Sequence, residues 1–114
     1  MNYQYTTQVP NRLFDHYLPT LTFAELKILL FIVRQTYGWI DRYTGKRKIR
    51  DCISYRLFIN KTGLSRRILT ESIQSLIDKK AVIVTDFQGT VLTKPQERLG
   101  KSICIIQLTC FYSQ

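Results

Sequence analysis

The stretch Ser54-Tyr55-Arg56-Leu57-Phe58-Ile59-Asn60-Lys61-Thr62-Gly63-Leu64-Ser65-Arg66-Arg67-Ile68-Leu69-Thr70 decides the fold of this chain. Ser54 has the short oxygen-bearing side chain that accepts from the free amides of a first helical turn, so a short helix is expected over 55–61. Thr62-Gly63-Leu64 then breaks it, because glycine adopts the left-handed backbone that closes a helix. Ser65 caps a second helix, expected over 66–80. Its apolar positions, Leu69, Ile73, Leu76 and Ile77, fall on one stripe that must be buried. Arg67, Glu71, Gln74 and Asp78 point the opposite way, with Arg66, Ile68 and Thr70 on the flanks. Two such helices around a tight glycine turn read as a helix-turn-helix.

Upstream, Thr22-Phe23-Ala24-Glu25 has the spacing of a capping box, in which Thr22 and Glu25 each satisfy a free amide of the other's backbone. Leu21 and Leu26 are placed to form a hydrophobic staple across it. Leu26, Leu29, Leu30, Ile32, Val33 and Tyr37 recur at helical spacing, Gly38 supplies a stop, and Trp39 is expected to pack back on the helix. A loop over 40–50 follows. Before this helix, 11–18 reads as one or two helical turns with Leu13, Phe14, Tyr17 and Leu18 inward, ended by Pro19. Residues 1–10 read as an extended arm. Downstream, 82–87 and 102–109 are short and β-branched, so they read as strands of a hairpin. Its long tip, 88–101, holds Gly89, Pro95 and Gly100. The expected fold is therefore α+β, mainly α: a winged helix-turn-helix with a C-terminal β-hairpin wing, spanning 11–114 after the arm.

With 114 residues, the chain has room for one domain. Its 45% hydrophobic content suffices for a core without a metal or a disulfide. No apolar run approaches the roughly 20 residues of a membrane span. The start, Met1-Asn2-Tyr3-Gln4-Tyr5, lacks the basic and apolar regions of a secretion signal, so a cytoplasmic location is expected. Cys52, Cys104 and Cys110 lack the paired short spacing of a zinc site and are expected to be reduced, mostly buried thiols. The one histidine, His16, has no nucleophile partner, and there is no phosphate-cradling glycine loop, H-E-x-x-H or paired-carboxylate motif. The sequence predicts no enzyme, no cofactor and no metal.

The formal net charge is +9 and the pI about 9.8. Between Arg42 and Arg67, nine basic side chains face one acidic residue, Asp51, which places +8 of that charge on the loop and the helix-turn-helix. A block of this density marks a polyanion partner, and double-stranded DNA is the expected one. Helix 66–80 would enter the major groove, presenting Ser65, Arg66, Arg67, Thr70 and Gln74 to the bases. Glu71 is expected to pair with Arg67 one turn away and orient it. Lys46, Arg47, Lys48 and Arg50 in the loop, and Lys94, Arg98 and Lys101 at the hairpin tip, would hold the phosphate backbone.

Val9-Pro10-Asn11, Arg34-Gln35-Thr36-Tyr37-Gly38-Trp39, Ile53-Ser54 and Thr62-Gly63-Leu64-Ser65-Arg66-Arg67 resemble the N-terminal domain of phage replication proteins of the lambda O type and of related mobile-element replication proteins. The resemblance runs from about Val9 to Asp86. It implies a sequence-specific, winged-helix DNA-binding domain that acts in replication initiation. It also implies a replicative helicase or its loader as a partner, engaged through a separate region beyond this chain. The departures are a long basic loop between Gly38 and Ile53, Ile59 where a small residue is common, and Ile68 where a polar one is common. Two alternatives remain: a winged-helix transcriptional regulator, and a protein-interaction winged helix using the apolar edges 82–87 and 102–111. A homodimer stays open as well, although no dimerisation element is evident.

Overall fold

A computed structural model gives the structure of residues 6–36, 43, 45, 50–86 and 88–98, and of the backbone of 103–108. Within them the chain is α+β and mainly helical. A π-helical turn, Leu13–Tyr17, and a 3-10 turn, Leu18–Thr20, precede α1, Phe23–Gln35. Then come β1, Arg50–Ser54; α2, Tyr55–Thr62; α3, Arg66–Asp78; β2, Val82–Thr85; a one-turn helix α4, Pro95–Arg98; and β3, Ile103–Leu108. No described helix is long and apolar enough to cross a membrane.

The helix starts follow the local chemistry. At α1, Thr22 Oγ1 accepts from the Glu25 amide and Glu25 Oε1 accepts from the Thr22 amide, closing the capping box. Ser54 and Ser65 cap α2 and α3 by accepting from the amides of Leu57 and Ile68. α2 runs one residue further than expected, to Thr62, and ends at Gly63 with φ 74°. The turn into α3 is held by α1: Lys27 Nζ donates to the Thr62 carbonyl at 3.3 Å, satisfying an acceptor at the end of α2.

The end of α3 differs from expectation. The helix stops at Asp78, not at 80, because Lys80 takes a left-handed backbone with φ 61°. The Ala81 amide then reaches the Leu76 carbonyl and the Lys80 amide reaches that of Ile77, which is a Schellman closure. A side-chain-bearing residue in this conformation costs about 1–2 kcal/mol, of which glycine's greater unfolded freedom would return about 0.5–1. Lys80→Gly is therefore expected to raise stability by about 0.5–1 kcal/mol, read as a higher urea midpoint at unchanged slope.

Two further expectations are corrected. Pro19 does not end a helix; it sits inside the 3-10 turn, where its missing amide donor costs nothing. Leu13 and Tyr17 are buried as expected, whereas Phe14 and Leu18 face outward because the π-turn shifts the helical phase. The stretch 50–54, expected to be the end of a loop and a cap, is the strand β1.

The sheet is antiparallel with order β1-β3-β2. β3 pairs with β1 from Arg50↔Gln107 to Ser54↔Ile103 and with β2 from Val82↔Leu108 to Thr85↔Ile105. The expected β2–β3 pairing is present, and residues 88–98 of the segment joining them are folded rather than an open tip. Asp86 Oδ1 accepts from the amides of Gln88 and Thr90, forming a tight reversal. The Leu92 amide then donates to the Val84 carbonyl, which lays this segment back along β2. α4 follows immediately.

The core lies where α1, α2 and α3 meet the sheet. Ile28, Leu29, Ile32 and Val33 of α1, Phe58 of α2, and Leu69, Ile73 and Leu76 of α3 are fully buried with Ile53, Val82, Val84 and Leu92. Leu26 and Ile77 are only partly buried, and Leu30 is exposed. Beneath α1 a carboxylate is buried as well. Glu25 is 2% exposed; both its oxygens accept from Lys79 Nζ, at 2.9 and 2.7 Å, and Oε2 also accepts from Ser75 Oγ. Lys79 donates in addition to the Thr20 carbonyl. One residue thus caps α1 and ties it to the end of α3.

Candidate nucleic-acid interface

Ser65, spent as a cap, aims the start of α3 outward, and the first residues after it are charged. Arg66 and Arg67 are both exposed. The Arg66 guanidinium lies over the Tyr55 ring, 5.6 Å from its centroid, so the first turn of α2 steadies it by a cation–π contact. Arg67 Nε donates to Glu71 Oε1 at 3.2 Å, one helical turn on. The pairing expected between them is present. With side chains 88% and 66% exposed, it contributes little stability and serves to orient the guanidinium. Lys61, in the last turn of α2, and Arg56, in its first, are also exposed. The free amides at the start of α3 add a partial positive charge next to Arg66 and Arg67.

The other expected readers are more occupied. Thr70 Oγ1 donates to the Arg66 carbonyl within the helix. Gln74 donates through Nε2 to the Thr93 carbonyl at 2.8 Å and to Asp78 Oδ1, and its Oε1 accepts from Arg98 Nη1 at 3.1 Å. Both of its donor hydrogens and one acceptor site are therefore engaged inside the protein.

Arg98 is the clearest departure from expectation. The sequence puts it on the surface of the hairpin tip, yet it is only 4% exposed. α4 turns its side chain inward, where Nε donates to Tyr55 Oη at 3.0 Å and Nη1 to Gln74. It joins α4, α2 and α3 instead of facing solvent. Its third nitrogen, Nη2, is buried with no hydrogen-bond partner. Lys94, by contrast, is exposed as expected. Arg50 is exposed too, but it belongs to β1 and not to a loop. Lys46, Arg47, Lys48 and Lys101 lie outside the described residues, as do Tyr37 and Trp39.

One feature of this surface is not evident in the sequence. Tyr55 reads in the sequence as an ordinary helix residue, although it carries the cation–π contact to Arg66 and accepts from Arg98. An aromatic residue directly after a cap and ahead of two arginines is a weak signal for such a role. Ile68, expected on the flank of this helix, is 45% exposed there. Cys52 is a free, exposed thiol and not a buried one, because it alternates with the buried Ile53 on β1. Among the described residues no group of His, Cys, Asp and Glu is placed to hold a metal. In comparisons with protein-family models, curated proteins and solved structures, nothing matches this chain.

Proposed function

We propose that this chain is a double-stranded DNA-binding domain of winged helix-turn-helix type, belonging to a replication initiation protein of a phage or another mobile element. The single observation that carries the DNA reading is the pair Arg66 and Arg67. They stand exposed on the first turn of α3, at the C-terminal end of the +8 block, which also holds the exposed Arg56 and Lys61 of α2. In this reading α3 lies in the major groove. The three-stranded sheet, with the segment between β2 and β3 folded along its edge, is the wing. The role in replication rests on the resemblance to lambda O-type proteins, which also implies a replicative helicase or its loader as a partner.

The test is binding to random-sequence and selected duplexes at several salt concentrations. Each neutralised phosphate contributes about −0.9 to the log–log slope, so about five to eight contacts give roughly −5 to −7. Lys61→Ala is expected to weaken every duplex about equally and to flatten the slope by about 1. Arg67→Ala is expected to cost about 1–3 kcal/mol on a selected duplex and less on random DNA. A slope near zero, or no binding at low salt, overturns the proposal. Uniform loss for both variants would remove Arg67 as a reader.

A further inference from the structure

We infer that Ile68 reads a thymine through its C5-methyl group, and that it shares base recognition with Arg67 in place of Thr70 and Gln74. This rests on the duplex-binding reading above. The argument is one of occupancy. Gln74, which would recognise adenine through a bidentate amide, has its donors directed to Thr93 and Asp78 and its oxygen held by the buried Arg98. Thr70 gives its only hydroxyl hydrogen to the Arg66 carbonyl. Arg66 is drawn over the Tyr55 ring, toward α2. Arg67 remains, oriented by Glu71 and with both terminal guanidinium nitrogens outside that pair, since only Nε donates to it.

Next to Arg67 stands Ile68. Of the large apolar side chains of α3, it is the one left exposed, at 45%, and it is absent from the cluster that packs the core. At 45% exposure and outside the core cluster, this branched apolar side chain adds little to the packing of the fold. Leu69, its neighbour, already supplies the buried contact of this turn. The major groove offers one apolar feature, the thymine methyl, and apolar side chains recognise it by contact. An exposed isoleucine between a steadied arginine and the body of the helix has the chemistry to take it. Recognition would then combine a guanine read by Arg67 with a nearby thymine read by Ile68.

The test changes the DNA and not only the protein. A duplex selected by the full chain from a random pool is remade with single thymines replaced by deoxyuridine, which lacks only the methyl group. Burying a methyl is equivalent to about a fourfold change in affinity. The chain is expected to lose about fourfold at one thymine per bound domain. Ile68→Ala, at an exposed position where alanine favours the helix, is expected to keep its circular dichroism and to bind both versions equally. Arg67→Ala is expected to bind more weakly yet to retain the discrimination. Equal sensitivity to deoxyuridine in the chain and in Ile68→Ala overturns the inference, as does insensitivity at every thymine. A chain that binds no duplex at all overturns the DNA reading itself, which is a distinct outcome.

Discussion

Replacing Phe58 by alanine is expected to lower the unfolding free energy by about 3–5 kcal/mol. The ring is fully buried and meets Phe31 of α1 edge to face, with centroids 5.5 Å apart and planes at 74°. α2 has eight residues, and Phe58 and Thr62 are the ones it buries fully. A helix that short has little stability of its own and is held by packing. Removing its one large anchor leaves a cavity that α1 and α3 cannot close without moving, so the cost is transfer plus void. Urea unfolding should show a lower midpoint at nearly unchanged slope. Phe58→Leu, which keeps most of the volume, should cost about 1–1.5 kcal/mol. A loss below 1 kcal/mol for the alanine variant would mean that α2 is not held by this ring. Because α2 presents Tyr55 to Arg66 and Arg98, duplex binding is expected to fall with stability.

The second large effect centres on Glu25. Glu25→Ala is expected to cost about 2–3 kcal/mol at neutral pH, since it removes the reciprocal cap of α1 and the carboxylate that receives Lys79 and Ser75. The figure stays below that of a wholly buried ion pair because the Lys79 side chain is 31% exposed and can be rehydrated.

The pH dependence carries a definite sign. Burial alone pushes the Glu25 carboxyl up, but hydrogen bonds from Lys79 and Thr22, together with the Lys79 charge, outweigh it. The net shift is downward from the ordinary value of 4.5. In the acid range the unfolded chain therefore binds this proton more readily than the folded one. The stabilisation is complete above about 4.5 and is lost as pH falls through the lower folded value. Glu25→Gln, which keeps an acceptor for the Thr22 amide and lacks the charge, should be weaker than the parent at pH 7. The gap should narrow as pH falls below about 4.5. A gap that widens on acidification would refute the role of the charge.

Much of the architecture could be read along the chain because it depends on neighbours three or four residues apart. Thr22, Ser54 and Ser65 cap the helices they were expected to cap, and Gly63 closes α2. Leu69, Ile73 and Leu76 form the buried stripe of α3. The Arg67–Glu71 pair was legible for the same reason, as both ends sit on one helix. β1 was not legible. Its five residues, Arg-Asp-Cys-Ile-Ser, are mostly polar, and their partners lie about fifty positions later in β3. Lys80 reads as helical along the chain because nothing local forbids it; the closure of α3 needs its left-handed backbone.

The candidate surface divides in the same way. The sequence by itself determined the basic block, the helices that carry it, and the position of Arg66 and Arg67 at a capped helix start, since charge and caps are written residue by residue. Only the tertiary structure decided which of those polar groups are available. Arg98 reads as one more surface cation until α4 folds it onto Tyr55 and Gln74, and Gln74 reads as a base contact until Arg98 and Thr93 occupy it. Glu25 reads as a cap until Lys79, fifty-four residues later, makes it an inter-helix tie. A hydrogen bond between distant segments has no period and no spacing. It exists only once the core has brought the segments together, and so the availability of a side chain is a property of the fold.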